Sequence, residues 1–178
     1  MKVSTNPKSG DKSNRSIKPK ATWCHGLCTA FLCIVTFWAV PGSASDPLLY
    51  VSQSNSTTVG VYDATTGAPV IPSLIAGLSA PYGLALSGNS LFVSDDLSDE
   101  VVGKYNASNG SPINAAFIPP TVGASFLALS GTTLYVAPYE GNTIATYTAS
   151  GSTGNLINAA FITGLSCIGG LVISGSVL

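Results

Sequence analysis

The densest group of potential metal ligands in the chain is an acidic run, Ser-Asp-Asp-Leu-Ser-Asp-Glu at 94–100. Its carboxylates belong to Asp95, Asp96, Asp99 and Glu100. Carboxylate oxygens are the ligands that Ca²⁺ prefers, in sets of about six to eight, so this run is the candidate Ca²⁺ site of the sequence. The spacing differs from that of an EF-hand loop, and the alternative is a solvated acidic turn. Because neighbouring like charges repel one another, we expect Ca²⁺ binding there to be weak or absent.

Other catalytic chemistry has few candidate residues beyond the first 45. Residues 46–178 contain no histidine and no arginine, and Lys104 is their only lysine. A Ser-His-Asp triad, a histidine zinc site and an arginine phosphate clamp therefore lack required members. One lysine against seven acidic residues in this region also leaves no basic patch, which excludes nucleic-acid binding. Enzymatic activity stays open, but this composition favours a non-catalytic role.

The first 45 residues have the pattern of an export signal. Residues 1–20 carry six basic residues against one acidic residue, 21–40 are mainly apolar, and 41–45 supply small residues for a signal-peptidase site. The densest apolar part, 27–40, is 14 residues long, shorter than the roughly 20 that a spanning helix needs. We therefore predict an exported, secreted or cell-surface domain at 46–178. The alternative is an uncleaved anchor at 21–40, which would be the only membrane contact.

Cysteine usage agrees with this division. Three cysteines fall inside the apolar segment, and Cys167 alone lies beyond it, so no disulfide is expected within 46–178. Cys167 replaces small residues at its repeat position, and we predict a buried, inert thiol there.

The chain from residue 48 onward repeats itself at a period of 42–44 residues. Leu-Tyr-Val-Ser at 49–52 returns as Leu-Phe-Val-Ser at 91–94 and as Leu-Tyr-Val-Ala at 134–137. Three further blocks keep the same order: Val-Gly-Val-Tyr at 59–62, with copies at 102–105 and 144–147; Gly-Leu-Ala-Leu-Ser-Gly at 83–88, with copies at 126–131 and 170–175; and Ile-Asn-Ala-Ala-Phe-Ile, identical at 113–118 and 157–162, with a diverged copy at 70–75. Four blocks in one order indicate a true structural repeat.

Each block is short, rich in β-branched and aromatic residues, and bounded by turn signals such as Asn109-Gly110. We therefore predict four strands per period, which in the first period lie near 49–52, 59–63, 70–75 and 83–87. Several strands are apolar at consecutive positions, as expected of strands buried on both faces. Stacked four-stranded antiparallel sheets at this period are typical of β-propeller blades, and a parallel β-solenoid is the alternative.

The predicted fold is therefore all-β. It consists of three four-stranded propeller repeats, about 48–90, 91–133 and 134–178, after an N-terminal signal helix. Tyr62, Tyr105 and Tyr147 share one repeat position and are predicted to pack between blades.

The recurring blocks resemble the NHL-type and YVTN-type propeller repeats of exported bacterial proteins, many of which carry a Pro-Glu-Pro sorting signal at the C-terminus. The resemblance covers 48–178 and includes Val-Gly-x-Tyr-[Asp/Asn]-Ala-[Ser/Thr]-x-Gly at 59–67 and 102–110; the sorting signal has no counterpart here. It implies an exported module with a binding or structural role, whose ligand would be a protein or a glycan. The alternative is a metal-dependent hydrolase of the gluconolactonase-like propeller class.

Closed propellers have about four to eight blades, so three repeats imply an open, truncated propeller. We expect Tyr50, Val51, Leu171 and Ile173 to be exposed at its two ends. Self-association would then complete the ring, with two copies giving six blades.

The export signal leads to the first testable prediction. We expect the exported protein to begin at Ser45 or Asp46, because small residues follow the break at Pro41-Gly42. N-terminal sequencing of the extracellular product measures this directly. A product that still starts at Met1 or Lys2 would establish the anchor instead.

Overall fold

The structure, a computed structural model, describes residues 46–96, 100–120, 123–139 and 141–175. This part of the chain contains eleven β-strands in three antiparallel sheets and one short 3₁₀ turn, Ser54–Ser56. The predicted all-β class is therefore confirmed. The predicted signal peptide, 1–45, and its helix lie outside the described residues. In the described ranges, no helix is long and apolar enough to span a membrane.

The three sheets follow one another along the chain. Sheet I contains β1 (Leu48–Gln53), β2 (Thr58–Asp63) and β3 (Pro69–Ile75). Sheet II contains β4 (Pro81–Ser87), β5 (Ser90–Asp95), β6 (Val101–Asn106) and β7 (Pro112–Ile118). Sheet III contains β8 (Ala124–Ser130), β9 (Thr133–Pro138), β10 (Ile144–Thr148) and β11 (Leu156–Ile162). Within each sheet, neighbouring strands are consecutive in sequence.

The Val-Gly-x-Tyr blocks at 59–62 and 102–105 lie in strands β2 and β6. The residue after each block stabilises the turn that follows the strand. Asp63 Oδ1 accepts hydrogen bonds from the amides of Thr65 and Thr66, both at 2.7 Å. Asn106 Oδ1 makes the equivalent bond to the amide of Ser108 at 2.9 Å. Such side chains stabilise turns by imitating a backbone acceptor. The amides of Thr66 and Thr65 lower the pKa of Asp63, since they favour its charged form.

The sheets do not coincide with the sequence periods as we divided them. The strand near 83–87, predicted as the fourth of the first period, is the first strand of sheet II, where Ala85 lies opposite Phe92. A two-residue turn, Gly88-Asn89, joins β4 to β5, and such short turns pair the strands they connect. Each four-stranded sheet therefore straddles a period boundary, and sheet I has three strands in the described residues.

The last predicted strand is wrong. Residues 163–175 contain no strand, although 170–175 repeats the sequence of β4 and β8. Those two strands pair with β5 and β9, whereas 170–175 pairs with no strand of the described residues. The prediction of a buried Cys167 is also wrong: its thiol is exposed, and its backbone is left-handed at φ 50° within this irregular segment.

Consecutive sheets pack face to face through two apolar clusters. Successive side chains of a strand point to opposite faces, so each sheet has a leading face, toward the preceding sheet, and a trailing face, toward the following one. Sheet II packs Leu91, Val93 and Tyr105 of its leading face against Val59 and Val61 of sheet I. Its trailing face packs against sheet III in a cluster that includes Phe92, Val102, Phe117, Leu134, Val136 and Tyr147. Apolar burial of this kind is the main stabilising term of such a fold.

Two of the repeated tyrosines lie where we predicted them. Tyr105 and Tyr147 are buried in the clusters that join two sheets. Tyr62 occupies the equivalent position on the leading face of sheet I, is half-buried, and accepts a hydrogen bond from Gln53 Nε2 at 3.2 Å. The prediction that these tyrosines pack between sheets is therefore confirmed for Tyr105 and Tyr147, whose sheets each follow another sheet.

The first strands of sheets II and III approach each other closely at Gly83. A Cβ atom at this position would lie 2.5 Å from the carbonyl oxygen of Ser125. Ser94 strengthens the contact, because its hydroxyl accepts from the Gly83 amide at 2.7 Å and donates to the Ser125 carbonyl at 2.9 Å. The backbones can approach this closely only because residue 83 has no side chain.

We therefore expect Gly83→Ala to lower the free energy of unfolding by about 1–3 kcal/mol, since the added methyl group must separate β4 from β8. Ser87→Ala, at the exposed end of the same strand, is the control and should change the stability by less than about 0.5 kcal/mol. Denaturant titration followed by circular dichroism measures both. Equal stability of the two variants would contradict the close approach.

Candidate functional site

A cleft of about 420 Å³ opens between the loops of sheets II and III. One side is formed by residues between β5 and β6, and the other by residues at the start of β8 and around the end of β9. The lining residues are Asp96, Glu100, Gly123, Ser125, Pro138, Tyr139 and Gly141. Two carboxylates of the predicted acidic run therefore face a concave surface.

Asp96 and Glu100 both reach from sheet II to the entry of sheet III. Asp96 Oδ2 accepts a hydrogen bond from Ser125 Oγ at 3.0 Å. Glu100 Oε2 accepts from the amide of Gly123 at 3.2 Å, and the backbone of Glu100 is left-handed at φ 47°. These bonds fix the position of one oxygen of each carboxylate and tie the acidic loop to the neighbouring sheet.

Asp95 has a different role from its neighbours in the acidic run. Its buried carboxylate accepts hydrogen bonds from the amide of Ser79, at 2.9 Å and 2.8 Å to its two oxygens, and from the amide of Ala80 at 2.6 Å. Asp95 therefore holds the connection between sheets I and II, away from the cleft lining. Burial raises the pKa of Tyr105, and the negative charge of Asp95 adds to the rise.

The structure thus places the predicted Ca²⁺ ligands in different surroundings. Asp96 and Glu100 line the cleft, Asp95 binds backbone amides, and Asp99 lies outside the described residues. Within the described ranges, no group of three or more His, Cys, Asp or Glu side chains is placed to hold a metal ion. The Ca²⁺ site stays a prediction, and the metal-dependent hydrolase gains no support from these residues.

Tyr139, the aromatic residue of the cleft, was not predicted from the sequence. Its side chain is 59% exposed, and its ring centroid lies 6.3 Å from that of Phe126. Tyr139 follows β9, at the place that Ser54 and Asp96 occupy after β1 and β5. The signal that could have identified Tyr139 is an aromatic side chain at a loop position where the other two repeats have small or acidic residues. Aromatic residues that recur in every repeat serve packing, and this one does not recur.

Lys104 is buried between sheets II and III, away from the cleft lining. Its Nζ donates hydrogen bonds to the carbonyls of Ala149, at 3.2 Å, and Gly151, at 2.9 Å. It also lies 5.3 Å and 5.1 Å from the ring centroids of Phe92 and Phe117, within cation–π distance. The equivalent positions hold Val61 and Thr146. The lysine therefore joins two sheets and is not exposed as a nucleophile.

No family model and no curated protein matches the chain. Solved structures do resemble it, among them the crystal structure of the computationally designed Ika8 protein, with a TM-score of 0.48 and 16% sequence identity over 61% of this chain. The chain spans 32% of the length of that designed protein. At this level the likeness carries no argument about function.

The two roles inside the acidic run lead to a prediction about stability. Asp95→Ala leaves two amides without their acceptor, so we expect it to lower the free energy of unfolding by about 2–4 kcal/mol. Asp96→Ala removes one bond from a half-buried site and should cost less than about 1 kcal/mol. Thermal and urea unfolding of both variants at neutral pH compares them. Equal losses would show that Asp95 is not the residue that holds the connection between sheets I and II.

Proposed function

We propose that the chain is an exported β-propeller module that binds a glycan in the cleft between sheets II and III. The observation that carries this proposal is the exposed ring of Tyr139 in the same cleft as the carboxylates of Asp96 and Glu100. Three lines of argument support it, namely the sheet arrangement, the chemistry of the cleft and the sequence of the first 45 residues.

The sheet arrangement is the one expected of propeller blades. Each sheet is an antiparallel meander, β1 packs against β4, and β4 packs against β8. The first strands of sheets II and III thus lie side by side, as innermost strands do around a propeller axis. The apolar clusters between the sheets leave the connecting loops free to form the ligand-binding rim.

The cleft combines the two kinds of group that a sugar needs. The C–H face of a pyranose ring can pack on the exposed ring of Tyr139. Sugar hydroxyl groups can donate to the carboxylates of Asp96 and Glu100, which are hydrogen-bond acceptors when ionised. A few polar groups beside an apolar surface is the usual composition of a small-ligand site.

The charge of residues 46–178 indicates which class of glycan the cleft would bind. Residues 46–178 carry seven acidic residues and one lysine, and that lysine is buried. Sulfated or uronate-rich chains would be repelled by the carboxylates of the cleft. The preferred ligand is therefore a neutral glycan or one that contains amino sugars. Such polymers occur outside cells, which agrees with the export signal predicted at 1–45.

A glycan array probed with the exported protein tests the proposal. We expect binding to neutral or amino-sugar glycans, with an affinity at least tenfold lower for Tyr139→Ala and for the double variant Asp96→Asn/Glu100→Gln. Tyr82→Ala is the matched control, because Tyr82 is also an exposed tyrosine but does not line the cleft, and it should bind as the unaltered protein does.

Two results would overturn the proposal. One is the absence of binding to any neutral or amino-sugar glycan on the array. The other is binding that Tyr139→Ala and Tyr82→Ala weaken equally. Capture of a basic protein ligand by the same cleft would replace the glycan with a protein partner.

A further inference from the structure

The same hexapeptide, Ile-Asn-Ala-Ala-Phe-Ile, is buried to different extents in two sheets. In β7, Phe117 is fully buried, whereas in β11 its counterpart Phe161 is 49% exposed. Sheet III covers Phe117, and the amide of Gly154 donates to the Phe117 carbonyl at 2.7 Å. The trailing face of sheet III therefore carries the same hexapeptide as the trailing face of sheet II, which sheet III covers.

The leading face of sheet I shows the complementary difference. Leu49 is 51% exposed there, whereas its counterpart in sheet II, Leu91, is 1% exposed. Leu91 packs against sheet I, in the interface that joins a trailing face to the next leading face. The trailing face of sheet III and the leading face of sheet I thus correspond to the two sides of one kind of interface. That interface occurs twice within the chain, between sheets I and II and between sheets II and III.

Residues 168–174 already lie on the trailing face of sheet III. Ile168 is buried against Ala137 and Ile144, and Leu171 packs on the same cluster. Ile168 occupies the repeat position of Pro81 and Ala124, which begin β4 and β8. The segment thus lies where the first strand of a fourth sheet would lie, and an apolar cavity of about 200 Å³ beside it is lined by Phe161 and Leu171, among others.

The prediction that both ends of the molecule would be exposed holds only in part. Tyr50, Val51 and Leu171 are half-buried, whereas Ile173 is exposed. Val172 is 94% exposed and lies in no strand.

Sheet I, in contrast, has no strand in the described residues at the position that β4 and β8 occupy in sheets II and III. In sheets II and III, the strand equivalent to β1 is paired on one side with β4 or β8. Among the described residues, β1 is the edge strand of sheet I and pairs with β2 alone. An edge strand offers a row of backbone donors and acceptors to another chain.

We propose that residues 168–174 of one copy form the missing strand of sheet I in a second copy. The internal repeats set the register: Ala85 lies opposite Phe92 and Ala128 opposite Tyr135, so Val172 of one copy lies opposite Tyr50 of the other. The added strand brings the leading face of sheet I onto the trailing face of sheet III. Leu49 and Phe161 become buried, as Leu91 and Phe117 are within one chain.

A second copy fits both faces because the chain itself contains the interface twice. The contact is head-to-tail, so two copies close into a ring of six sheets if the rotation allows, and more copies form an open array if it does not. The residues named on the two faces are uncharged, so the association should depend little on salt.

Cross-linking of the full-length exported protein tests the register. All variants carry Cys167→Ser, which removes the exposed native thiol. Tyr50→Cys/Val172→Cys should give a disulfide-linked species on non-reducing gels, since opposed residues of paired strands lie about 4.5–5.5 Å apart between Cα atoms. Gln53→Cys/Val172→Cys is the matched control, displaced by three residues along β1, and should cross-link at least tenfold less.

Light scattering during size exclusion provides the second measurement. We expect a mass of two or more copies for the unaltered protein, with a dissociation constant raised at least tenfold by Val172→Pro, because proline removes a backbone donor from the added strand. Val172 is almost fully exposed in the single chain, so this variant should fold normally. A monomer at all concentrations, or equal cross-linking of the two cysteine pairs, would overturn the proposal.

Discussion

The burial of a sheet on both of its faces is the constraint on which the rest of this structure depends. Sheet II meets it fully, because Leu91, Val93 and Tyr105 pack on sheet I while Phe92 and Phe117 pack on sheet III. Such a sheet has no solvated face, so its strands need apolar side chains at consecutive positions. The repeat preserves this requirement from period to period.

The requirement also explains the places where the repeat contains glycine or serine. Sheets II and III converge at their first strands, and at Gly83 the backbones of β4 and β8 come too close for a side chain. Ser94 and Lys104 are polar residues within these interfaces, and each of them bonds to a carbonyl of the next sheet. In the described part of the chain, every buried side-chain nitrogen or oxygen atom has a hydrogen-bond partner. Satisfied polar groups of this kind fix the register of one sheet on another.

The sequence predicted the strands well because each one is a local pattern. The repeated apolar blocks placed β1 to β11 within a few residues, and the shared position of Tyr105 and Tyr147 identified inter-sheet packing. Strand pairing was harder to predict, since it depends on which turn is short. Gly88-Asn89 joins β4 to the following strand, and the division of the repeat into periods had placed β4 with the preceding three.

The site was less predictable, because spacing along a loop does not say where a carboxylate points. Asp95 and Asp96 are adjacent, yet one binds the amides of Ser79 and Ala80 and the other lines the cleft. Their contacts come from segments that lie 15 to 29 residues away in sequence, such as Ser125. Tyr139 could not be recognised from the repeat for a related reason: residues that recur in every repeat serve packing, and Tyr139 does not recur.

The burial of Lys104 has a consequence for resistance to proteolysis. Residues 46–178 contain no arginine and this one lysine, so a protease that cleaves after basic residues has a single target bond in this part of the chain. That lysine side chain lies between two sheets and bonds to the carbonyls of Ala149 and Gly151. Cleavage there requires sheets II and III to separate first, and its rate then follows the population of the opened state. The domain's resistance to such proteases is therefore set by the stability of one internal interface.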